Sequence, residues 1–319
     1  MKSEGRSAWL ELRRAIGLLT LLSAFGTESV SIWAGISEWT SHGPDGGFIS
    51  VVVIDPQNQN TVYAVAGDRI FRSTNAASNW TFVSSSPVPN YSISALVADP
   101  HTTGGLYAAS AGQVFRSADG AANWTRCGLS GIGELALDPQ TPGTVYAAGL
   151  GAGVFKSTNA GSTWSAVSSG LTTRDVNRLA IDVRNPSTLY AGTSGDGVFK
   201  SIDAGRSWKA ANSGLAGTYI NSMTIDPQNT AIIYVAAFRL GGPTGMVFKS
   251  TDGAVSWQAL DIGWTSTTFV NTVTITPPEL RPSLCGHVER CIQECKQPNR
   301  LERGERWSAR ILPSCIPGY

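Results

Sequence analysis

One octapeptide pattern, a serine followed seven residues later by a tryptophan, recurs five times and constrains the fold more than any other feature. The five tryptophans are separated by 44, 40, 44 and 49 residues. An Asp or Asn stands two residues after each serine, and the repeated side chains are Ser73, Asn75, Trp80, Ser117, Asp119, Trp124, Ser157, Asn159, Trp164, Ser201, Asp203, Trp208, Ser250, Asp252 and Trp257. We call each octapeptide a box. Self-similarity at such a period predicts a repeat architecture.

Two further signatures keep register with the boxes. Two apolar residues and a basic residue precede each serine, as in Val198-Phe199-Lys200. Further upstream, an aspartate is followed eight residues later by a tyrosine, as in Asp226 and Tyr234. Each unit therefore predicts four short antiparallel strands, for example residues 179–181, residues 188–191, residues 198–201 and a strand that starts at Trp208. We predict an all-β fold: a β-propeller of four-stranded antiparallel blades, five complete plus a partial sixth.

The box itself reads as the hairpin between the third and fourth strands. Its Asp or Asn can accept backbone N–H groups in an Asx-type turn, and its serine hydroxyl can add a bond. Gly161 and Gly205 stand where a positive φ is expected, whereas Ala77, Ala121 and Ala254 occupy that position in the other boxes. We expect alanine to strain these three turns, because a Cβ disfavours positive φ.

This repeated sequence pattern resembles the Asp-box (BNR) repeat, Ser-x-Asp-x-Gly-x-x-Trp, of sialidases, xyloglucanases, sortilin-type receptors and assembly-factor-like proteins. The resemblance covers about residues 37–277. The recurring Asp-Pro, Tyr-Ala and Val-Phe-Lys-Ser segments are most similar to bacterial propellers like the photosystem II stability/assembly factor. The resemblance implies a fold and leaves two functional classes open: a non-catalytic binding or assembly scaffold, and a secreted glycoside hydrolase.

Residues that recur in every blade are predicted to be structural, so function is expected in the loops that do not repeat. The boxes and the Asp-Pro turns are predicted to share one edge, the box rim, and the connections from strand four to strand one and from strand two to strand three form the opposite edge, the loop rim. We expect a protein or glycan ligand there. The binding residues proposed on the loop rim are Arg69, Tyr91, Arg174, Tyr219, Arg239 and Trp264.

Catalysis on the loop rim would need paired carboxylates. Between residues 39 and 278 the only glutamate is Glu134, so a sialidase-like Tyr–Glu pair finds no support there. A glycosidase that uses two aspartates stays open, with Asp68, Asp175 and Asp196 as possible members. We assign no catalytic residue on sequence alone.

Composition narrows the possible partners. The formal net charge is +1, which gives no reason to expect nucleic acid. No phosphate loop is present, and the three histidines are scattered, so we predict no cofactor and no metal. The spacing of Cys285, His287, Cys291 and Cys295 fits no usual zinc knuckle, and disulfides in the tail are the preferred alternative.

The two ends differ from the repeats. Residues 1–26 combine a basic start, a short apolar run and small residues, which predicts a cleaved signal peptide, a secreted, periplasmic or cell-surface location, and no stable membrane span after its removal. We predict the propeller domain over residues 36–278 as a monomer. Its partial sixth blade would combine a strand at 270–275 with a strand around Trp39. Residues 279–319 show none of the repeated signatures. This indicates an irregular extension, or a truncated or frame-shifted end, and the chain could then be a defective gene product.

Overall fold

Twenty short strands account for the regular structure of the chain. The structure is a computed structural model that describes residues 44, 48–215, 218–239, 245–260 and 270–275. Within these ranges there are β-strands and no helix, and the strands form five four-stranded antiparallel sheets. The all-β prediction is confirmed.

Each sheet takes its four strands in sequence order. Blade one contains β1 (Ile49–Asp55), β2 (Asn58–Ala66), β3 (Arg69–Ser73) and β4 (Thr81–Ser85). Blade two contains β5 (Ile93–Ala98), β6 (Leu106–Ser110), β7 (Gln113–Ser117) and β8 (Thr125–Ser130). Blade three contains β9 (Glu134–Leu137), β10 (Val145–Gly149), β11 (Gly153–Ser157) and β12 (Ser165–Ala166). Blade four contains β13 (Val176–Ile181), β14 (Leu189–Thr193), β15 (Val198–Ser201) and β16 (Lys209–Ala210). Blade five contains β17 (Tyr219–Ile225), β18 (Ile233–Phe238), β19 (Met246–Ser250) and β20 (Gln258–Leu260).

The first strands of successive sheets lie against one another, β1 on β5, β5 on β9, β9 on β13 and β13 on β17. The sheets are therefore arranged around a common axis with their first strands innermost. This arrangement is a five-bladed β-propeller.

The hydrophobic core lies between neighbouring blades, where the second strands are buried on both faces. The second strands β6, β10 and β14 are buried along their whole length and rich in alanine and glycine. Small side chains are needed there. A Cβ on Gly192 would come within 2.6 Å of a methyl carbon of Ile220 in the next blade. One cluster joins Tyr146, Leu179 and Trp208 from blades three and four.

Two details of the predicted strands differ from the structure. The fourth strand of every blade begins one residue after the tryptophan, which itself ends the box turn. Residues 270–275 form no strand, so the partial sixth blade is not seen as regular structure in the described part of the chain. They nevertheless pack on blade five, where Val270 and Ile275 are buried with Tyr234 and Val247. The predicted strand around Trp39, the signal peptide and the tail 279–319 lie outside the described residues.

Candidate functional site

Each box forms the same hydrogen-bonded turn. In the fourth box, Ser201 Oγ donates to Asp203 Oδ1 at 2.8 Å and accepts the N–H of Gly205 at 2.9 Å. Asp203 Oδ1 also accepts the N–H of Ser207 at 2.9 Å. The same bonds occur in the other four boxes, with Asn75 and Asn159 replacing aspartate in two of them. The serine hydroxyl and the Asp or Asn Oδ1 of each box are therefore bonded within the box itself.

The tryptophans join neighbouring blades. Nε1–H of Trp164, Trp208 and Trp257 donates to the carbonyl oxygens of Cys127, Val167 and Ala211, each on or next to the fourth strand of the preceding blade. Trp124 breaks this series, because its Nε1 is buried without a hydrogen-bond partner in the structure. A buried indole N–H usually finds a hydrogen-bond partner, so Trp124 is an exception among the described boxes.

The expected strain in the box turns is present. Residues three and four after each serine both have positive φ, and at the fourth position φ is 65° for Ala77, 72° for Ala121 and 69° for Ala254. Gly161 and Gly205 have φ of 82° and 85° at that position. At this fourth position alanine thus occupies a left-handed conformation in three boxes, as predicted from the sequence. At the third position Ala76, Ala160 and Ala204 also have positive φ.

The box rim carries a second set of contacts between blades that the sequence did not reveal. Within blade four the box turn bonds to the turn between strands one and two, through the N–H of Ala204 and the carbonyl of Ser187. Between blades the contacts are made by long side chains. Gln140 Nε2 donates to the carbonyl of Val183 in the next blade, and Arg184 Nε donates to that of Pro227. Gln57 makes the equivalent bond to Pro100. In the sequence, these contacts between blades are marked by a long polar side chain two residues after the repeated aspartate.

The loop rim holds the aspartates proposed for catalysis, and two of them bond to neighbouring loops. Asp175 Oδ1 accepts the N–H of Gly151 at 2.7 Å, and Asp196 Oδ2 accepts the hydroxyl of Thr172 at 2.7 Å. Both bonds join the connection from blade three to blade four with a turn between strands two and three. The structure therefore gives these carboxylates partners within the scaffold.

An aromatic pair lies next to these aspartates on the loop rim. The rings of Tyr219 and Phe238 stack with centroids 4.8 Å apart and an interplanar angle of 21°. The main chain of Tyr219 bridges to Ser194, whose N–H donates to the carbonyl of Asp175. Arg239 follows Phe238 and is exposed. Asp175, Tyr219 and Arg239, which were predicted separately, thus fall in one sector of the rim, formed by blades four and five, and Phe238 was missed by the sequence analysis.

The remaining predicted rim residues are placed elsewhere. Asp68 and Arg69 lie at the turn between β2 and β3 of blade one, where the Arg69 guanidinium is 5.9 Å from the centre of the Phe82 ring. Tyr91, between blades one and two, is 57% exposed. Arg174 is exposed beside Asp175. No hydrogen bond or ion pair in the described residues joins Asp68 to Asp175 or Asp196. Trp264 lies outside the described residues.

Glu134 forms an ion pair that sequence analysis did not anticipate. It begins β9, and its Oε2 is 3.5 Å from Nη1 of Arg178 on β13, so the pair joins two innermost strands. Burial raises the pKa of Glu134 to about 7, although the positive charge of Arg178 acts in the opposite direction. A carboxyl group that titrates near neutral pH lies toward the loop-rim end of the inner strands. The signal available in the sequence was that Glu134 is the only glutamate between residues 39 and 278.

The described residues include no group of His, Cys, Asp and Glu side chains that could hold a metal ion. They also include no helix long and apolar enough to cross a membrane.

Comparison with known proteins identifies the architecture. No family model matches the chain, and no curated protein matches it. Among solved structures, an ancestral GH74 enzyme is 22% identical with a TM-score of 0.58, over 67% of this chain and 31% of that one. The extracellular domain of the one-component system BT4673 from B. thetaiotaomicron is 13% identical with a TM-score of 0.53, over 68% and 28%. YCF48 bound to D1 peptide is 15% identical with a TM-score of 0.48, over 65% and 64%.

The chain is a β-propeller. It spans about a third of the length of the GH74 enzyme and of the BT4673 domain. At these identities the similarity concerns the fold alone, since propellers carry unrelated functions on one scaffold.

Proposed function

We propose that this propeller is a non-catalytic binding or assembly scaffold that holds a protein or glycan ligand on its loop rim. One observation carries the proposal. In the sector formed by blades four and five, Asp175 and Asp196 already bond to neighbouring loops, while the stacked Tyr219–Phe238 pair and the exposed Arg239 lie beside them. The chemistry that this sector offers is therefore aromatic and cationic contact.

Physical reasons favour binding at such a sector. A tyrosine held by stacking and by its main-chain bridge loses little conformational freedom when a ligand packs on it. An arginine beside it can form a bidentate bond with a ligand carboxylate or stack on a planar group. Variable loops on a rigid scaffold are also where binding residues concentrate.

Glycan-array binding, combined with a glycosidase screen on xyloglucan and sialosides, tests the proposal. We expect binding without turnover, and we expect Tyr219→Ala and Arg239→Ala each to weaken binding at least tenfold. Phe82→Ala and Lys209→Ala are matched controls, since they remove an exposed aromatic ring in blade one and an exposed cation on the edge strand β16. Binding that survives both rim substitutions would contradict the proposal, as would turnover that is lost in Asp175→Asn or Asp196→Asn.

The second function is a secreted glycoside hydrolase, sialidase- or xyloglucanase-like. It is favoured by Glu134, whose pKa of about 7 would suit a general acid near neutral pH. The aspartates proposed as its partners are Asp68, Asp175 and Asp196. Under this alternative Glu134→Gln would abolish turnover in the same screen, while the binding affinity for the substrate would stay.

Several finer statements accompany the proposed scaffold. We infer that the boxes are Asp-box repeats, a proposal supported by their hydrogen-bond pattern. We infer that residues 1–26 are removed on export to a secreted, periplasmic or cell-surface location, and that the mature protein is a monomer. N-terminal sequencing of the natural product and light scattering test both statements. An intact N-terminus or a stable dimer would contradict them.

We also infer that residues 270–275 occupy the position of the first strand of a sixth blade. Asn177 Nδ2 donates to the carbonyl of Ile220 in the next blade, and Asn221, at the equivalent position of blade five, donates to that of Val270. This repeated contact supports the inference. Asn221→Ala should therefore increase amide hydrogen exchange at 270–275, and unchanged exchange would contradict it.

A further inference from the structure

A polar cleft opens on the box rim between blades three and four, on the side of the molecule opposite the proposed ligand rim. Its volume is about 390 Å³. The side chains that line it are mostly hydrogen-bonding groups: Asp138, Thr141, Lys156, Thr158, Asn185 and Ser187. The cleft is large enough for a molecule of sugar size, and its hydroxyl and amide groups can bond to a polyhydroxy ligand.

Lys156 is the distinctive residue of this cleft. Its Nζ lies 5.1 Å from the centre of the Tyr146 ring, and it makes no hydrogen bond within the described residues. Lys200 stands at the equivalent position of blade four, and its Nζ donates to the carbonyl of Gly253 in the next box at 2.8 Å. Two lysines with the same place in the repeat thus differ in whether their ammonium group has a partner.

The difference follows from one side chain of the facing box. Lys200 faces Gly253, where an added Cβ would lie 3.3 Å from Nζ, whereas Lys156 faces the box in which Ala204 occupies that position. The methyl group of Ala204 therefore takes the space into which Lys156 would otherwise dock.

The charges around the cleft favour an anion. Asp138 is its acidic group, and Asp138 Oδ1 already accepts the N–H groups of Gln140 and Thr141. Arg206 lies close enough to Lys156 to repel it, and burial together with this repulsion lowers the pKa of Lys156 against the attraction of Asp138. Arg184, whose Nε donates to Pro227, adds a further positive charge at the wall. Two cations, Lys156 and Arg184, thus line the cleft with one bonded carboxylate, and Arg206 lies within electrostatic range of Lys156.

We propose that the cleft between blades three and four binds a small polyhydroxy carboxylate, such as a sugar acid, with Lys156 Nζ contacting its carboxylate group. The threonine and serine hydroxyls and the Asn185 amide bind the hydroxyl groups. Binding gives the ammonium group of Lys156 the partner that Ala204 denies it. The site is independent of the ligand proposed for the loop rim.

Calorimetric titration with glucuronate tests the site, with glucose and acetate as matched probes that keep only the hydroxyls or only the carboxylate. We expect glucuronate to bind at least tenfold more tightly than either probe. Glucose or acetate binding as tightly as glucuronate would overturn the proposal, and so would absence of glucuronate binding.

Three variants locate the site. Lys156→Gln should weaken glucuronate binding about tenfold or more, since a charge-assisted hydrogen bond is lost. Ala204→Gly keeps every charge but lets Lys156 bond to the box carbonyl, so it should also weaken binding, and its melting curve checks that the fold is intact. Lys200→Gln is the control and should leave the affinity unchanged. Equal affinity of wild type and Lys156→Gln, or a loss in Lys200→Gln as large as in Lys156→Gln, would overturn the assignment.

Discussion

The indole Nε1–H of Trp208 donates to the carbonyl oxygen of Val167 at 2.7 Å, across the boundary between blades three and four. Trp208 is 3% exposed, so the bond is buried along with most of the ring. The same residue that ends a local turn thus holds two sheets together, and a repeat unit is stabilised by the next unit in the chain.

Replacing this tryptophan should cost more than replacing its counterpart in blade two. Trp208→Phe removes the donor and leaves the Val167 carbonyl without it, whereas Trp124→Phe removes an Nε1 that has no partner. We expect Trp208→Phe to lower the free energy of unfolding by about 1–3 kcal/mol more than Trp124→Phe does. Urea denaturation measures both. Equal losses of unfolding free energy would mean that the Nε1–H hydrogen bond of Trp208 adds no stability beyond the packing of its ring.

The box turns should respond in opposite directions to alanine and glycine. Ala77 has a φ of 65° and is only partly buried, so Ala77→Gly should raise the free energy of unfolding by about 1 kcal/mol, because glycine tolerates the left-handed region. Gly161→Ala should lower it, since the new Cβ would lie 2.9 Å from Sγ of Cys127 in the preceding blade. Thermal melting of the two variants checks the signs. A stabilised Gly161→Ala would contradict the steric argument.

Acid should weaken the box turns that contain aspartate. The pKa of Asp119 is lowered to about 2 by hydrogen bonds from the main chain and side chain of Asn123 and from Ser117. Hydrogen bonds also lower the pKa of Asp203 and of Asp252 to about 2. The largest effect comes from Ser207 for Asp203 and from Ser256 for Asp252. A carboxyl group whose pKa falls on folding stabilises the protein above its unfolded pKa, here 3.8, and loses this effect as the pH falls through 2.

The triple variant Asp119→Asn, Asp203→Asn, Asp252→Asn tests this dependence. Asparagine already fills the position in two boxes, so the variant should fold. We expect it to be less stable than wild type at pH 7, with the difference closing between about pH 4 and pH 2. Denaturant titrations at each pH give the difference directly, and a difference that does not change with pH would contradict the prediction.

Glu134 should have the reverse pH dependence. Its pKa rises on folding from 4.5 to about 7, so the folded protein binds the proton more tightly, and stability falls as the pH rises through this window. Glu134→Gln, which resembles the protonated form, should therefore be more stable than wild type at pH 8 and equally stable at pH 4. Arg178→Gln is the comparison: it leaves the carboxylate without its cation and should lower stability at pH 8. A Glu134→Gln variant that is destabilised at pH 8 would show that the ion pair outweighs burial.

Much of the fold could be predicted from the sequence because the residues that define each repeat interact with near neighbours in the chain. The serine, the Asp or Asn and the positive-φ residue of each box lie within four positions of one another, and their bonds are made within the turn. Alternation and turn residues then define four strands per unit, and stacking of such units leaves few architectures. The order of strands in all five described blades follows from the chain itself.

The candidate sites depended on contacts between residues far apart in sequence. The bond between Asp175 and the Gly151 N–H became visible only in the structure, and Phe238 became relevant only through its stacking on Tyr219. Glu134 and Arg178 are 44 positions apart, and no local pattern joins them. The availability of Lys156 is set by a methyl group in the next blade. Local patterns fix turns and strands because the interacting atoms are neighbours in the chain, whereas pairings across blades depend on how the sheets stack, and only the tertiary structure decides them.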